Sequence, residues 1–349
     1  MYHKRRTDRR GEEDTMIRTG LRRFVIGAAV AALGISAAAP VDAQTRLRFA
    51  HVYETNEPYH TEALWAAEEI AKRTNNRFRI EVFAASALGN EPAINEALTL
   101  GTIDMIYTGA AFAGSRFRPI AISNAPFIFR DYDHWLAYRQ SDLFKELAAG
   151  YDRATGHRIM ALTYYGARHV TANRPIMKPE DMRGMKLRVP QAPLYLMFAR
   201  SVGANATPIA FAEVYLALQN GTVDGQENPL PTIQAKKFYE VQSHISLTGH
   251  ISESLVTIAG GQLWRRLNAA DKALFEEVWR EAANRATFAI RTSEETLPGW
   301  FEAQGKTVLR PDRTAFRAAA QPLHNDQAAG AGWTRDHYDR LQALGARSN

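Results

Sequence analysis

An α/β protein of two domains with mostly parallel sheets is what the sequence predicts, and three observations carry that prediction. Strand-like and helix-like segments alternate from Leu47 to Tyr107, the order that builds parallel sheets with helices on their faces. With a leader set aside, about three hundred residues remain, and the full chain is 46% hydrophobic, which suits two cores better than one. A helical pattern opening at Asn268 then runs to about Thr296, roughly 40 Å, longer than one small domain needs and suited to brace two.

Residues 1–43 read as a secretory signal peptide. Arg22 and Arg23 precede the apolar, Ala-rich run Phe24 to Pro40, and Val41-Asp42-Ala43 forms a small-residue cleavage pattern before Gln44. Cleavage is expected after Ala43, which places the mature protein in the periplasm; Met16 is an alternative start. The competing reading is a membrane anchor, for which a run interrupted by Gly27 and Gly34 is short. Without the leader, 35 Lys/Arg face 32 Asp/Glu, a net charge of +3 with no basic cluster. Nucleic acid is therefore excluded as a partner, since phosphate binding needs grouped cations. The chain has no cysteine, so its fold rests on core packing without disulfides.

The elements follow in order. Leu47 to Val52 reads as a first strand, Glu57 to Arg73 as an amphipathic helix and Arg77 to Phe83 as a second strand. A helix from the Gly89-Asn90-Glu91 turn to Leu100 stops at Gly101, and Ile103 to Tyr107 reads as a third strand. Ligands of such sheets sit beyond the carboxyl ends of the strands, so His51, Tyr53, Glu91, Thr108 and Gly109 become candidates. Against this, His51 could be a hydrogen-bonded structural histidine, and Glu91 a first-turn acid favoured by the helix dipole. The segment from Pro126 to Arg153 reads as loop plus helix with core aromatics, and His157 to Tyr164 as a strand. Beyond it Arg168 stands at an element boundary, either solvated or functional.

The most informative stretch runs from Lys186 to Pro229. Arg188 lies inside an apolar string of Met185, Leu187 and Val189; a helix carries Phe211, Val214, Tyr215 and Leu218 at helical spacing; and the polar cluster Gln226-Glu227-Asn228 is stopped by Pro229. A cation on a buried strand facing an amide on a turn makes an anion site. Farther on, Ser252 to Ile258 reads as a strand. Leu274, Val278, Ala282, Ala286 and Ile290 mark the long helix, Val308-Leu309 a short strand, and residues 313–344 two helices. Catalytic patterns are missing: there is no G-x-S-x-G, no H-E-x-x-H, and the ten histidines lack ligand spacing. Glu227 with Asp224 is the carboxylate pair a hydrolase would use.

Arg188-Val189-Pro190, Gly203-Ala204, Pro208, the run Phe211 to Gln219, and Val223-Asp224-Gly225-Gln226-Glu227-Asn228-Pro229 resemble the signature of the periplasmic solute-binding subunits of tripartite ATP-independent periplasmic (TRAP) transporters, the DctP family. The resemblance covers essentially all of the mature chain and is nearest the branch that holds sialic-acid, sugar-acid and C4-dicarboxylate binders. It implies a two-lobed periplasmic-binding-protein fold, with residues 44–166 and about 254–293 in lobe I and 167–253 and about 294–349 in lobe II. It implies a monomer, no enzyme activity, no cofactor and no metal. The function implied is capture of an organic carboxylate by hinge closure and delivery to the small and large TRAP membrane subunits.

By the same resemblance Arg188 forms a bidentate salt bridge with the ligand carboxylate, Arg168 supports that anion and Asn228 hydrogen-bonds it. Gln191, Phe211, Tyr215 and Glu227 match cleft positions, and Glu91 matches an acidic contact in sialic-acid binders. The sequence departs from those binders at Val52, where they place asparagine, and at Gly109, where they place glutamate. A smaller polyhydroxy acid or a dicarboxylate is expected, with His51 or Tyr53 at its far end. The alternatives are a binding protein for a sensor kinase or an ATP-driven importer, and a secreted hydrolase.

Overall fold

The computed structural model describes residues 44–345; the signal peptide and its cleavage point, expected within residues 1–43, lie outside the described residues. The opening alternation folds as β1 (Thr45–Ala50), α1 (Pro58–Arg73), β2 (Phe78–Phe83), α2 (Glu91–Leu100) and β3 (Met105–Gly109). The chain continues through α3 (Ala110–Ala113), α4 (Tyr132–Gln140), α5 (Asp142–Thr155), β4 (Arg158–Ala172), β5 (Lys186–Val189), α6 (Leu196–Ser201), β6 (Asn205–Pro208), α7 (Val214–Gln219), β7 (Gly225–Pro229), α8 (Leu230–Ala235) and α9 (Phe238–Val241). It closes with β8 (His244–Ala259), α10 (Gly261–Arg266), α11 (Ala269–Ala303), β9 (Thr307–Leu309), α12 (Arg313–Ala320) and α13 (Arg335–Ala343).

All nine strands join one sheet in the order β2-β1-β3-β8-β4-β7-β5-β6, with β9 beside β8. The outer pairings are parallel: β1 with β2 and β3, β5 with β6 and β7, and β8 with β9. The two central strands, β4 and β8, run antiparallel to each other, and each also pairs antiparallel with an outer strand. Both are far longer than the sequence suggests. β4 does not stop at Tyr164 but passes through Gly166 to Ala172, and β8 begins eight residues before Ser252. Gly166 allows the continuation because its φ is +120° and a Cβ there would stand 2.7 Å from Pro229. The register between β4 and β8 shifts beside it, at 164/166 and again at 168/170.

Helix α11 lies along β4 and spans 35 residues, roughly 52 Å. Asn268 caps it by accepting a bond from the Asp271 amide at 2.8 Å. Phe275, Val278, Trp279, Ala282, Ala286 and Ile290 form its buried stripe, and Trp279 stacks on Phe49 of β1 with ring centroids 4.6 Å apart. The expected stop near Thr296 is not observed. Pro298 removes one donor, but Leu297 and Phe301 are buried around it and anchor the last turns. Glu294 reaches from this helix to the β4 irregularity, accepting from the Ala167 amide at 2.6 Å and from the Tyr164 hydroxyl at 3.2 Å. The brace is thus hydrogen-bonded to the point where the central strand bends.

Candidate carboxylate-binding cleft

The sheet carries β3, β4, β5, β7 and β8 toward one space lined by Val52, Tyr53, Glu91, Tyr165, Arg168, Arg188, Pro190, Tyr195, Phe211, Asn228 and Glu253. In this arrangement the cavity is only about 20 Å³, room for about one water, so a larger guest must part the walls. Glu91 enters from the first turn of α2, whose N-cap is Asn90. Its Oε1 accepts from the Gly109 amide at 3.1 Å and from the Thr108 hydroxyl at 3.4 Å. Burial first, and the Glu253 charge next among the raising effects, push its carboxyl up to about 7.

Arg168, on β4, is paired through all three of its nitrogens. Its Nε and Nη2 grip the Glu227 carboxylate, Nη2 also donates to the Glu227 carbonyl, and Nη1 is bonded to Glu253. Its guanidinium lies 5.9 Å from the Tyr165 ring centroid and 5.3 Å from that of Tyr195. Burial disfavours the Glu227 charge, yet Arg168 and His250 hold its carboxyl below the ordinary value. Glu253 goes the other way: burial raises it against the pull of the same arginine. Tyr195 donates to Glu253, and the Asn124 amide donates to Glu253 at 3.2 Å.

Arg188, on β5, is built differently. Its Nε and Nη2 both donate to one backbone carbonyl, that of Ile209, at 3.0 and 2.7 Å. Its Nη1 is buried without a hydrogen-bond partner, a condition no other cationic side chain shares among the described residues. Burial, then the neighbouring Arg168 charge, lower its pKa to about 10, so it remains a cation at neutral pH. An uncompensated buried guanidinium is costly, and a planar carboxylate is the partner that fits its fork.

The remaining expected residues fall into three groups. Tyr53, Phe211 and Asn228 line the space, and Asn228 is oriented by a 2.6 Å bond from its Nδ2 to Gln226 Oε1. Glu227 stands behind Arg168 rather than in the lining. His51, Gln191 and Tyr215 are outside it. His51 is buried against His60 at 3.2 Å and accepts from the Tyr53 amide, and burial, then the His60 charge, lower its pKa to about 3. Gln191 is exposed, and Tyr215 donates to Glu240 at 3.0 Å on the surface. Asp224 is likewise exposed and accepts from the Lys186 amide, so the hydrolase pair Glu227 and Asp224 is not brought together.

Sequence reading missed Glu253, Tyr195 and Tyr165. Glu253 offered a signal, being the lone acid in the strand Ser252 to Ile258, as Arg188 is the charge set between apolar Leu187 and Val189. Their placement also accounts for Gly109: a Cβ there would stand 2.9 Å from the Tyr195 hydroxyl and 3.2 Å from Glu253 Oε1. The acid of this wall comes from β8 instead. Among the described residues no group of three or more His, Asp or Glu is placed to hold a metal, and no helix is long and apolar enough to cross a membrane.

Known proteins share this arrangement of chain. The family model of bacterial extracellular solute-binding protein, family 7 (DctP), matches residues 49–330. The sialic acid-binding periplasmic protein SiaP of Vibrio cholerae is 33% identical over 297 residues, covering 85% of this chain and 92% of its own. The C4-dicarboxylate-binding periplasmic protein DctP of Rhodobacter capsulatus is 28% identical, covering 89% and 96%. The crystal structure of a TRAP periplasmic solute-binding protein from Polaromonas sp. JS666 bound to D-erythronate superposes with a TM-score of 0.82 at 32% identity, covering 86% and 99%. The chain belongs to the bacterial extracellular solute-binding protein family 7, the DctP family of TRAP solute-binding proteins.

Proposed function

We propose that this protein captures an organic carboxylate of the sugar-acid or C4-dicarboxylate type in the periplasm and delivers it, as a monomer and without catalysis, to TRAP membrane subunits. The observation that carries the ligand class is the buried, unpartnered Nη1 of Arg188, a residue that lines the cleft together with Asn228. A ligand carboxylate there satisfies a buried cationic donor that has no partner within the protein.

Closure is the proposed mechanism, between a lobe of residues 44–166 with about 254–293 and a lobe of 167–253 with about 294–349. The register shifts of β4 and β8 supply a place to bend. Glu57 and Glu54, between β1 and α1, reach Thr232 and Lys236 of the other lobe, each at 2.7 Å. A ligand touching both walls favours the closed state by its differential affinity.

The test is a thermal-shift screen of wild type and Arg188→Ala against organic acids. A ligand at a hundred times its Kd stabilises by about 2.7 kcal/mol. The reading fails if no carboxylate shifts the wild type, or if Arg188→Ala is shifted equally.

A further inference from the structure

Two guanidiniums and two carboxylates line the cleft: Arg168 and Arg188, Glu91 and Glu253. A third carboxylate, Glu227, grips Arg168 from behind. Arg168 therefore serves two acids at once, and Glu91, held by the Gly109 amide and the Thr108 hydroxyl, is the acid of the cleft with no cation bonded to it. A ligand carboxylate on Arg188 Nη1 takes up the free cationic donor. Among the described residues no lysine, histidine or third arginine lines the remaining wall. A second carboxylate on the same ligand would face Glu91 and Glu253, with only the already bonded Arg168 to offset them, and like charges brought together in a dry site repel strongly. A hydroxyl meets the same wall as a hydrogen-bond donor. Glu91 spends Oε1 on Gly109 and Thr108, which leaves Oε2 to accept from a ligand O–H.

Resting on the carboxylate reading above, we propose that Glu91, backed by Glu253, is the specificity determinant of the cleft, which takes a monocarboxylate bearing hydroxyl groups and rejects dicarboxylates. Arg188 fixes the acid end, and the acidic wall reads the hydroxylated end. Gly109 belongs to this device, because a side chain there would displace the Tyr195 and Glu253 pair from the wall.

The experiment measures affinities of the exported, mature chain for acids matched in length: D-erythronate, succinate and butyrate with four carbons, and L-galactonate and galactarate with six. In at least one length the hydroxylated monoacid is expected to bind about tenfold or more tightly than its diacid, a charge-repulsion effect, and erythronate is expected to exceed butyrate. Glu91→Gln, which supplies an amide donor in place of the carboxylate, is expected to narrow the monoacid-to-diacid ratio. The proposal is overturned if a diacid binds as tightly as its monoacid at both lengths, if neither hydroxylated monoacid binds, if butyrate matches erythronate, or if Glu91→Gln folds and leaves the ratio unchanged. Should Glu91→Gln not fold, the wild-type ratios decide alone. Diacid binding that matches the monoacids at both lengths and vanishes in Arg188→Ala would sink this proposal and leave the carboxylate reading intact, whereas binding that ignores Arg188 would sink both.

Discussion

Arg168 and Arg188 enter one cleft from strands that flank β7 on either side, and both are 2% exposed. Their surroundings are opposite. Arg168 is locked to Glu227 and Glu253, whereas Arg188 leans on a single carbonyl and keeps Nη1 unpaired. The difference teaches that a buried cation near a cleft can serve two ends. One neutralises acids that the fold itself buries, and the other is the cation proposed to hold its charge for a guest.

The sharpest way to break this contrast is to remove each cation in turn. Arg168→Met strands two buried carboxylates and should cost about 3–5 kcal/mol of folding stability in urea unfolding. Arg188→Met removes a buried cation that no carboxylate is bonded to, so its stability should stay within about 1 kcal/mol of wild type or rise. Equal losses from the two would dissolve the distinction.

A second measurement asks whether Glu91 is a standing counter-ion for Arg188. Its pKa is raised from 4.5 to about 7, so the folded chain holds this proton more tightly than the unfolded chain does. Stability from this group is full below about pH 4.5 and falls as pH rises through about 7, by on the order of 3 kcal/mol. Glu57, raised to about 7 chiefly by its burial, slopes the same way. Thermal unfolding from pH 5 to pH 8 should show this decline, and Glu91→Gln should remove part of it. A pH-independent difference between the two proteins would mean that Glu91 is ionised throughout and neutralises Arg188.

The smallest effect concerns the packing around Arg168. Gly109→Ala sets a methyl 2.9 Å from the Tyr195 hydroxyl and should cost about 1–3 kcal/mol by overpacking. A neutral result in the same unfolding assay would show that the Tyr195 and Glu253 pair is loosely held.

What the sequence revealed follows from how local each signal was. Arg188 was legible because a charge set between apolar Leu187 and Val189 needs no partner in view. The α1, β2 and α2 boundaries were legible from spacing and from the Gly101 stop. The full span of β4 and β8 was not, because Gly166 reads locally as a terminator while the ladder that carries β4 past it comes from a strand some eighty residues away. For the same reason the pairing of Arg168 was hidden: its acids lie 59 and 85 residues ahead, and only the antiparallel centre of the sheet brings them in. His51 illustrates the converse. Its strand-end position was read correctly as special, but the neighbouring turn of α1 supplied His60 as a partner.

The central pair β4 and β8 has one more consequence. β8 pairs with β3 at its C-terminal end and with β9 at its N-terminal end, while β4 runs beside it and pairs with β7, so the two sides of the sheet are joined through these two strands. The two halves are therefore interleaved along the gene rather than placed end to end. A cut in the loop before β5 would give an N-terminal piece holding all of β4 but none of β8, and a C-terminal piece with the reverse. Neither piece holds both central strands, so each is expected to complete the sheet only together with the other.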